Sequence, residues 1–322
     1  MDLKGLIKNC KKGLSGLFGA ECVLLAYMGI TGILMIFVWD YLHYPETMVL
    51  LRAGMVAYIF IAKYVYEIIP NKWVTAARVF MIMLTLITWY PETYDFCRIF
   101  PYLDHIFAQA DQVLFGCQPS LEFVKAVNST FWYEAFNLGY YSYYYLMVIM
   151  VLYYFFFKFS DFGKAVYIFF GAFFTYYLIY DLLPVAGPQY YFQAIGVEAA
   201  EKGIFENMYH YFQLHYDMLP TETRGIFSAL VKNAQEVGEC PTAAFPSSHV
   251  GMSTVTMLLM YRANRTVFWV MFPLYVLLCC ATVYIQAHYL VDSIAGFITA
   301  LLFFYIGNKS YTPLKKKLNW EM

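Results

Sequence analysis

Two histidines and an aspartate in the last third of the chain have the residue types and the spacing for phosphoryl chemistry. His249 lies in the stretch AAFPSSHVGMS, and His288 and Asp292 lie in TVYIQAHYLVDSIAG. On a helix, residues four positions apart share a face, so the Asp292 carboxylate would accept the N–H of the His288 imidazole. Such an acceptor fixes the tautomer and stabilises the cationic ring, which is typical of an activated histidine.

The stretch around His249 also predicts an anion site. Pro246 suits the first turn of a helix, because the N–H that it lacks would go unpaired there. Ser247, Ser248 and His249 would then lie in that turn, where free backbone N–H groups and the positive end of the helix dipole favour a phosphate. The two serine hydroxyls add further hydrogen-bond donors.

Metal binding is the chemical alternative, since His249, His288 and Asp292 form a two-histidine, one-carboxylate set. The serine-rich helix start favours an anion over a cation, and the remaining histidines and cysteines lack ligand spacing to this group. We therefore expect no metal and no other cofactor. Taken singly, each of the three residues also suits an ordinary structural role as a cap, a packing residue or a hydrogen-bonding partner.

The elements that position these residues must be membrane helices. The chain has 322 residues, of which 61% are hydrophobic and 13% are charged, and its mean hydropathy is +0.53. Soluble domains carry about a quarter charged residues. The formal net charge is −1, and no basic stripe interleaved with aromatic residues indicates a nucleic-acid partner. The composition predicts an all-α, polytopic integral membrane protein.

Eight apolar segments are long enough to span a bilayer, which takes about 20 residues. Two of them form an N-terminal pair in residues 1–72, and the other six form the core of a catalytic membrane domain over residues 73–322. Two long outer loops, 93–134 and 184–246, would carry amphipathic helices on the membrane surface, such as 194–208 and 221–237. The eight segments are 20–38, 48–69, 73–92, 135–157, 165–183, 247–262, 266–285 and 289–307.

The distribution of cations predicts the orientation. With the N-terminus inside, most Lys and Arg residues fall in short inner loops and at the termini, as the positive-inside rule expects. Both termini would then be cytoplasmic. His249, His288 and Asp292 would converge at the outer face, beside Gln189 at the broken end of the fifth span. Ionisable groups at span ends are costly and usually functional, so this convergence favours a reaction centre.

The two motifs resemble those of the type 2 phosphatidic acid phosphatase superfamily, whose pattern is Pro-Ser-Gly-His followed by Ser-Arg-x5-His-x3-Asp. Here Pro-Ser-Ser-His ends at His249, and the second motif reads Ala-Thr, five residues, His288 and Asp292. The resemblance covers residues 137–307 approximately. It implies that His288 attacks phosphorus and forms a phosphohistidine, that Asp292 supports it, and that His249 protonates the leaving oxygen.

The chain departs from that pattern where the superfamily's phosphatases hold positive charge. Thr282 stands in place of the motif arginine, and the upstream Lys-x6-Arg-Pro motif is absent. Between Ala165 and Glu201 there is no Lys or Arg, and Gln189 stands where a cation would be expected. The predicted phosphate site has therefore lost its cations.

A neutral site suits a singly charged phosphodiester better than a phosphomonoester, which carries close to two charges. Ser247, Ser248 and Gln189, with backbone N–H groups, would hold the diester. For a phosphatase, Arg224 or Arg98 from the outer loops would supply the missing cation.

The missing arginine, together with the FPSSH and HYLVD sequences, resembles the inositol phosphorylceramide synthase branch of the superfamily. That resemblance implies sphingolipid metabolism: a phosphoinositol head group moves from a glycerophospholipid donor to a ceramide-type acceptor, without metal. The site would face the periplasm of a bacterial inner membrane or the lumen of a Golgi-like membrane. Two alternatives remain open, a lipid phosphate phosphatase with water as acceptor and a non-enzymatic transporter or scaffold.

Overall fold

The computed structural model describes residues 14–322, and within that range it contains helices but no strand, which confirms the all-α prediction. Fourteen α-helices follow one another in this part of the chain. They are α1 Gly19–Val38, α2 Pro45–Ile68, α3 Lys72–Cys97, α4 Asp104–Phe115, α5 Pro119–Ala126, α6 Thr130–Tyr141, α7 Tyr143–Phe157, α8 Phe159–Leu182, α9 Pro188–Ile195, α10 Val197–Glu201, α11 Ile226–Gly238, α12 Ser248–Ala263, α13 Arg265–Tyr284 and α14 Leu290–Leu318.

The described residues include six helices that are long and apolar enough to cross a membrane, namely α1, α2, α3, α8, α13 and α14. Helices α6 and α7 together form a seventh candidate, bent by 44°. The remaining predicted span, 247–262, is helix α12, which has 16 residues and is about 24 Å long. It is therefore shorter than the apolar core of a bilayer, about 30 Å. The protein is an integral membrane protein with several membrane helices.

One compact unit comprises the chain up to Glu92 together with residues 151–175 and 302–322. Its apolar helices contain two buried ion pairs. Arg78 donates from Nε and Nη2 to the Glu21 carboxylate at 2.6 and 2.5 Å, and Arg52 donates to both oxygens of Glu92 at 3.2 and 2.7 Å. A charge inside an apolar bundle is costly unless it is paired, so these pairs fix how α1, α2 and α3 pack.

The second compact unit comprises residues 93–150 and 176–301. It contains most of the two long loops, and these fold as short helices rather than extended chain. The predicted helix over 221–237 is confirmed as α11. The predicted helix over 194–208 is interrupted, because Gly196 and Gly203 adopt φ of +86° and +71°, a region that favours glycine and ends a helix.

Candidate active site

The site is built around the start of α12. Ser247 is the N-cap residue, and its hydroxyl accepts a hydrogen bond from the backbone N–H of Val250 at 3.4 Å. The helix therefore begins at Ser248, two residues later than the sequence predicted, since Pro246 was expected to lie in the first turn. The Ser247 N–H donates to the backbone oxygen of Asp292 at 3.0 Å. This bond ties the start of α12 to the start of α14.

The two predicted histidines lie side by side. His249 Nδ1 is 3.3 Å from His288 Nε2, and His288 Nδ1 is 2.8 Å from the backbone oxygen of Ala244. A carbonyl oxygen only accepts, so His288 carries its proton on Nδ1 and leaves a lone pair on Nε2. Burial lowers the pKa of His288 to about 4, so the ring is neutral at pH 7 and its Nε2 is available as a nucleophile.

Asp292 lies near His288 but does not hydrogen bond to it. Its Oδ2 is 3.8 Å from His288 Nδ1, which is too long for a hydrogen bond, and accepts instead from the Tyr289 N–H at 2.9 Å. The reason is that α14 begins at Leu290, so His288 precedes the helix and does not share a helical face with Asp292. The Ala244 carbonyl thus takes the tautomer-fixing role that the spacing had assigned to the aspartate.

Asp292 nevertheless lies next to the His288 ring. The residue is fully buried, and its Oδ1 has no hydrogen-bond partner among residues 14–322. When it is ionised, a carboxylate at this distance favours a positive charge on the imidazole. Any effect of Asp292 on His288 is therefore electrostatic rather than a hydrogen bond.

Two tyrosines contact the ring of His249. The centroid of the Tyr140 ring is 4.6 Å away with an interplanar angle of 25°, and that of Tyr143 is 4.5 Å away at 45°. Tyr140 is near the end of α6 and Tyr143 begins α7, and the two helices meet at a bend of 44°. One ring from each side of this bend therefore contacts His249. Aromatic faces stabilise a nearby cation, so the two rings favour a positive charge on His249.

The predicted phosphate-binding serines are both at the helix start. Ser247 uses its hydroxyl as the cap, whereas the hydroxyl of Ser248 lies beside Tyr143 and Tyr180. Tyr180 in turn donates to the Pro246 oxygen at 2.7 Å. Ser248 can therefore offer a hydroxyl to a ligand at the His249 end of the helix.

Two other predicted ligands, Gln189 and Arg224, contact side chains other than the two histidines. Gln189 donates from Nε2 to the Glu239 carboxylate at 2.6 Å and accepts from Gln235 at 3.0 Å. Arg224 pairs with Glu222 at 2.7 Å and lines a cavity of about 280 Å³ whose wall contains neither histidine. The structure does not place the Arg224 guanidinium at the histidine pair.

Thr282 occupies the position of the superfamily's motif arginine without supplying charge. Its side chain is fully buried, and Oγ1 is 2.8 Å from the Cys279 oxygen and 3.0 Å from the Ser293 hydroxyl. Its own backbone oxygen accepts from the His288 N–H at 3.0 Å. Thr282 therefore supports the loop that carries His288 through neutral hydrogen bonds.

Two carboxylates on α4 brace the site, and the sequence analysis had missed both. Asp104 accepts from the N–H groups of Ala186 and Gly187 at 2.9 and 2.8 Å and from the Tyr289 hydroxyl at 3.1 Å. Tyr289 directly follows His288, so Asp104 holds the loop on which His288 lies. Burial raises the pKa of Asp104 to about 6.

Asp111 caps the helix that carries Asp292. Its carboxylate accepts from the N–H groups of Leu290 and Val291 at 2.9 and 3.0 Å, where a negative charge also complements the helix dipole. Burial raises the pKa of Asp111 to about 6. Asp104 and Asp111 are seven residues apart in a partly apolar segment, so they share a helical face, and this signal could have identified them.

In residues 14–322, no group of three or more His, Cys, Asp or Glu side chains is arranged as a set of metal ligands. The fold and the site thus define a polytopic helical membrane protein with a buried pair of histidines at a helix start.

Comparison with known families identifies this class further. The family described as the PAP2 superfamily matches residues 105–306, which is more than half of the chain and includes His249, His288 and Asp292. The chain belongs to the PAP2 superfamily. Its members are generally phosphatases or phosphotransferases, so membership supports an enzyme of this kind acting on lipids. No curated protein and no solved structure matches the chain.

Proposed function

We propose that this protein is a lipid head-group phosphotransferase that moves phosphoinositol from a glycerophospholipid to a ceramide-type acceptor. The observation that carries the proposal is the pair formed by His288 Nε2 and His249 Nδ1, 3.3 Å apart, in surroundings without a cation. Within residues 14–322, the neighbours of the two rings are the Ala244 carbonyl, the Asp292 carboxylate and two tyrosine rings, and no Lys or Arg is among them.

The chemistry proceeds in two displacements. His288 Nε2 attacks phosphorus, the bond to the diacylglycerol oxygen breaks, and His249 gives that oxygen a proton. The head group is then held as a phosphohistidine on His288. The acceptor hydroxyl next loses its proton to His249 while its oxygen attacks phosphorus, and the bond to His288 breaks. Proton transfer of this kind contributes about 10²–10⁴-fold to a rate.

Substrate binding must part the two imidazoles. A nucleophile lies about 3–3.5 Å from the atom that it attacks, whereas His288 Nε2 is already 3.3 Å from His249 Nδ1. The phosphate therefore replaces the direct contact between the rings. The N-terminus of α12 and the Ser248 hydroxyl offer neutral donors for its oxygens, which suits a diester with one negative charge.

The cavity that Arg224 lines supports a hydroxyl-rich head group, although neither histidine is in its wall. Its lining includes the side chains of Asn137, Gln235 and Gln286. Asn137 lies one helical turn before Tyr140, and Gln286 lies two residues before His288. Amide side chains both donate and accept, so they match the hydroxyl groups of a polyol. We place the head group here, with the phosphate at the histidine pair.

A transfer assay tests the proposal. Purified protein in lipid nanodiscs would receive phosphatidylinositol and ceramide, and the products would be measured by mass spectrometry. We expect an inositol-containing phosphosphingolipid and diacylglycerol in equal amounts, and loss of both products in His288→Ala. His215→Ala, which changes an exposed loop histidine stacked on Tyr211, is the matched control and should retain activity. Full transfer by His288→Ala would contradict the mechanism.

The second candidate is a lipid phosphate phosphatase, in which water takes the place of the acceptor. Three cations in the cavity wall, Lys125, Arg224 and Lys232, favour it because they could attract a doubly charged phosphomonoester. Each is within 4.0 Å of a glutamate, however. Rapid release of inorganic phosphate from phosphatidic acid, without transfer to ceramide, would favour the phosphatase.

We also propose that both termini lie in the cytoplasm and that the histidines open to the opposite side. The concentration of Lys and Arg in the short connecting segments and termini supports this orientation. Labelling of single cysteines introduced at Lys202 and at Lys315 with a membrane-impermeant maleimide, in sealed cells or vesicles, tests it. The proposal expects external labelling only at position 202, and the reverse pattern would contradict it.

A further inference from the structure

Glu239 carries a carboxylate that the proposed mechanism does not use, although hydrogen bonds fix both of its oxygens. The Tyr140 hydroxyl donates to Oε1 at 3.0 Å, and Gln189 Nε2 donates to Oε2 at 2.6 Å. Gln235 Nε2 donates in turn to Gln189 Oε1 at 3.0 Å. The carboxylate is thus part of a short row of hydrogen-bonded side chains, which runs from Gln235 through Gln189 and Glu239 to Tyr140.

That row ends at the histidine pair. The Tyr140 ring, whose hydroxyl donates to Glu239, stacks on His249 with centroids 4.6 Å apart and an interplanar angle of 25°. Ser142 directly after α6 donates its hydroxyl to the Gly139 oxygen at 2.7 Å, and a Cβ on Gly139 would lie 2.6 Å from the Leu277 backbone. The end of α6 is therefore held in place, and the Tyr140 ring with it.

We propose that Glu239 is a positioning residue for His249 and acts on it through Tyr140. This inference rests on the proposed function, in which His249 gives a proton to the leaving oxygen. A phenol that donates to a carboxylate carries more negative charge on its ring, because linked hydrogen bonds polarise one another. A more negative ring face attracts the protonated imidazole more strongly. Glu239 would therefore favour the protonated form of His249.

Burial and the neighbouring His288 lower the pKa of His249, and the proposed effect of Glu239 opposes that shift. Burial raises the pKa of Glu239, and the hydrogen bonds from Gln189 and Tyr140 oppose that shift. None of the ionisable groups near either end of the row is a lysine or an arginine. Those near Glu239 are Tyr140, Tyr144, Tyr190 and Cys240, and those near His249 are His288, Tyr140 and Tyr143.

Glu239→Gln and Tyr140→Phe test the inference, because the first removes the charge and the second removes only the hydroxyl that links it to the ring. The alkaline limb of the plot of kcat against pH reports the loss of a proton from His249. We expect this limb to move to lower pH by about half to one unit in both variants. Glu236→Gln removes an acid with a 55% exposed side chain on the neighbouring helix α11 and should leave the limb in place.

The choice of leaving group separates positioning from a general structural role. A donor with a nitrophenol leaving group departs without a proton, so Glu239→Gln should turn it over nearly as fast as the wild type. With the lipid donor, at a pH on the alkaline limb, the same variant should be about 3- to 10-fold slower. This is the loss of rate that a shift of the limb by about half to one pH unit produces. Equal losses with both donors, or an alkaline limb that does not move, would overturn the inference.

A third measurement does not depend on turnover. Carbethoxylation of an imidazole requires its neutral form, so the rate at His249, followed by peptide mass spectrometry against pH, reports its protonation. We expect the midpoint to fall in Glu239→Gln, and an unchanged midpoint would overturn the inference. If the midpoint falls but no head group is transferred to ceramide, Glu239 keeps its role and the proposed function fails. If Glu239→Gln does not fold, the same midpoint is measured in Tyr140→Phe, which retains the ring. It should fall there as well, and an unchanged midpoint would overturn the inference.

Discussion

His249 Nδ1 lies 3.3 Å from His288 Nε2, and the proton on His288 Nδ1 is committed to the Ala244 carbonyl 2.8 Å away. The two rings therefore differ in role before any substrate binds. His288 turns a lone pair toward its neighbour, and His249 offers the proton. This asymmetry supports the proposed roles, with His288 as the nucleophile and His249 as the acid, which are also the roles that the resemblance of the motifs implies.

The division of roles predicts how His249→Ala fails. Without an acid, expulsion of the diacylglycerol oxygen should slow by about 10²–10⁴-fold, whereas a donor with a nitrophenol leaving group should still phosphorylate His288. The measurement is a burst of nitrophenol approaching one equivalent per chain. An absence of this burst in a folded His249→Ala variant would contradict the assignment.

Asp104 and Asp111 predict an acid limit to activity. Burial raises the pKa of each to about 6, so both carboxylates gain protons as the pH falls through that value. A protonated carboxyl is a poorer acceptor for the backbone N–H groups that it braces, so we expect the loop carrying His288 to change its hydrogen bonds and its position while it stays packed. We expect kcat to fall below pH 6, before His288 itself is protonated at about pH 4.

The double variant Asp104→Asn/Asp111→Asn checks this source of the acid limb. Each change leaves buried N–H donors without an ionised acceptor, which costs about 1–3 kcal/mol of unfolding free energy. Activity should therefore be low at all pH values, and the limb near pH 6 should be absent. Glu198→Gln, at a side chain that is 89% exposed, is the control. An unchanged limb in the double variant would show that other groups titrate there.

The glycine at position 296 predicts a packing requirement between α14 and the start of α12. A Cβ on Gly296 would clash with the Ser247 backbone oxygen, whereas none of residues 14–322 has an atom within 4 Å of a Cβ on Gly171 in α8, apart from the neighbouring backbone of that helix. Gly296→Ala should therefore displace the α12 start, lower the unfolding free energy by about 1–3 kcal/mol and reduce transfer. Gly171→Ala should do neither. Thermal unfolding measures the change in stability, and the transfer assay measures the change in activity. Equal stability and equal activity of the two variants would contradict the requirement.

The sequence predicted what periodic or compositional patterns encode. Long apolar segments identified the membrane helices, and two short motifs identified His249 and His288. It could not show that α14 begins at Leu290, because no cap signal separates a helix start at His288 from one two residues later. Because of that shift of one half-turn, the His288 Nδ1 proton is donated to the Ala244 backbone oxygen and not to Asp292. Every residue has a backbone oxygen, so the sequence could not identify Ala244 as the acceptor.

Contacts distant in sequence account for the other differences. The segment 135–157 reads as one continuous apolar helix, yet the chain breaks at Ser142, where the Ser142 hydroxyl bonds back to the Gly139 oxygen. A serine in a helix interior can bend it in this way, but only the tertiary packing decides whether it does. Likewise, Glu239 and Tyr140 are 99 residues apart, so no local pattern joins them.

The covalent intermediate tests the central claim most directly. Protein mixed with a donor whose head group is isotopically labelled, with ceramide withheld, should carry one phosphoinositol on the peptide that contains His288. Ceramide added afterwards should remove that label from the peptide and return it as labelled phosphosphingolipid, at the rate of steady-state transfer. Transfer without any label on His288, or release of the label as inorganic phosphate, would contradict the account.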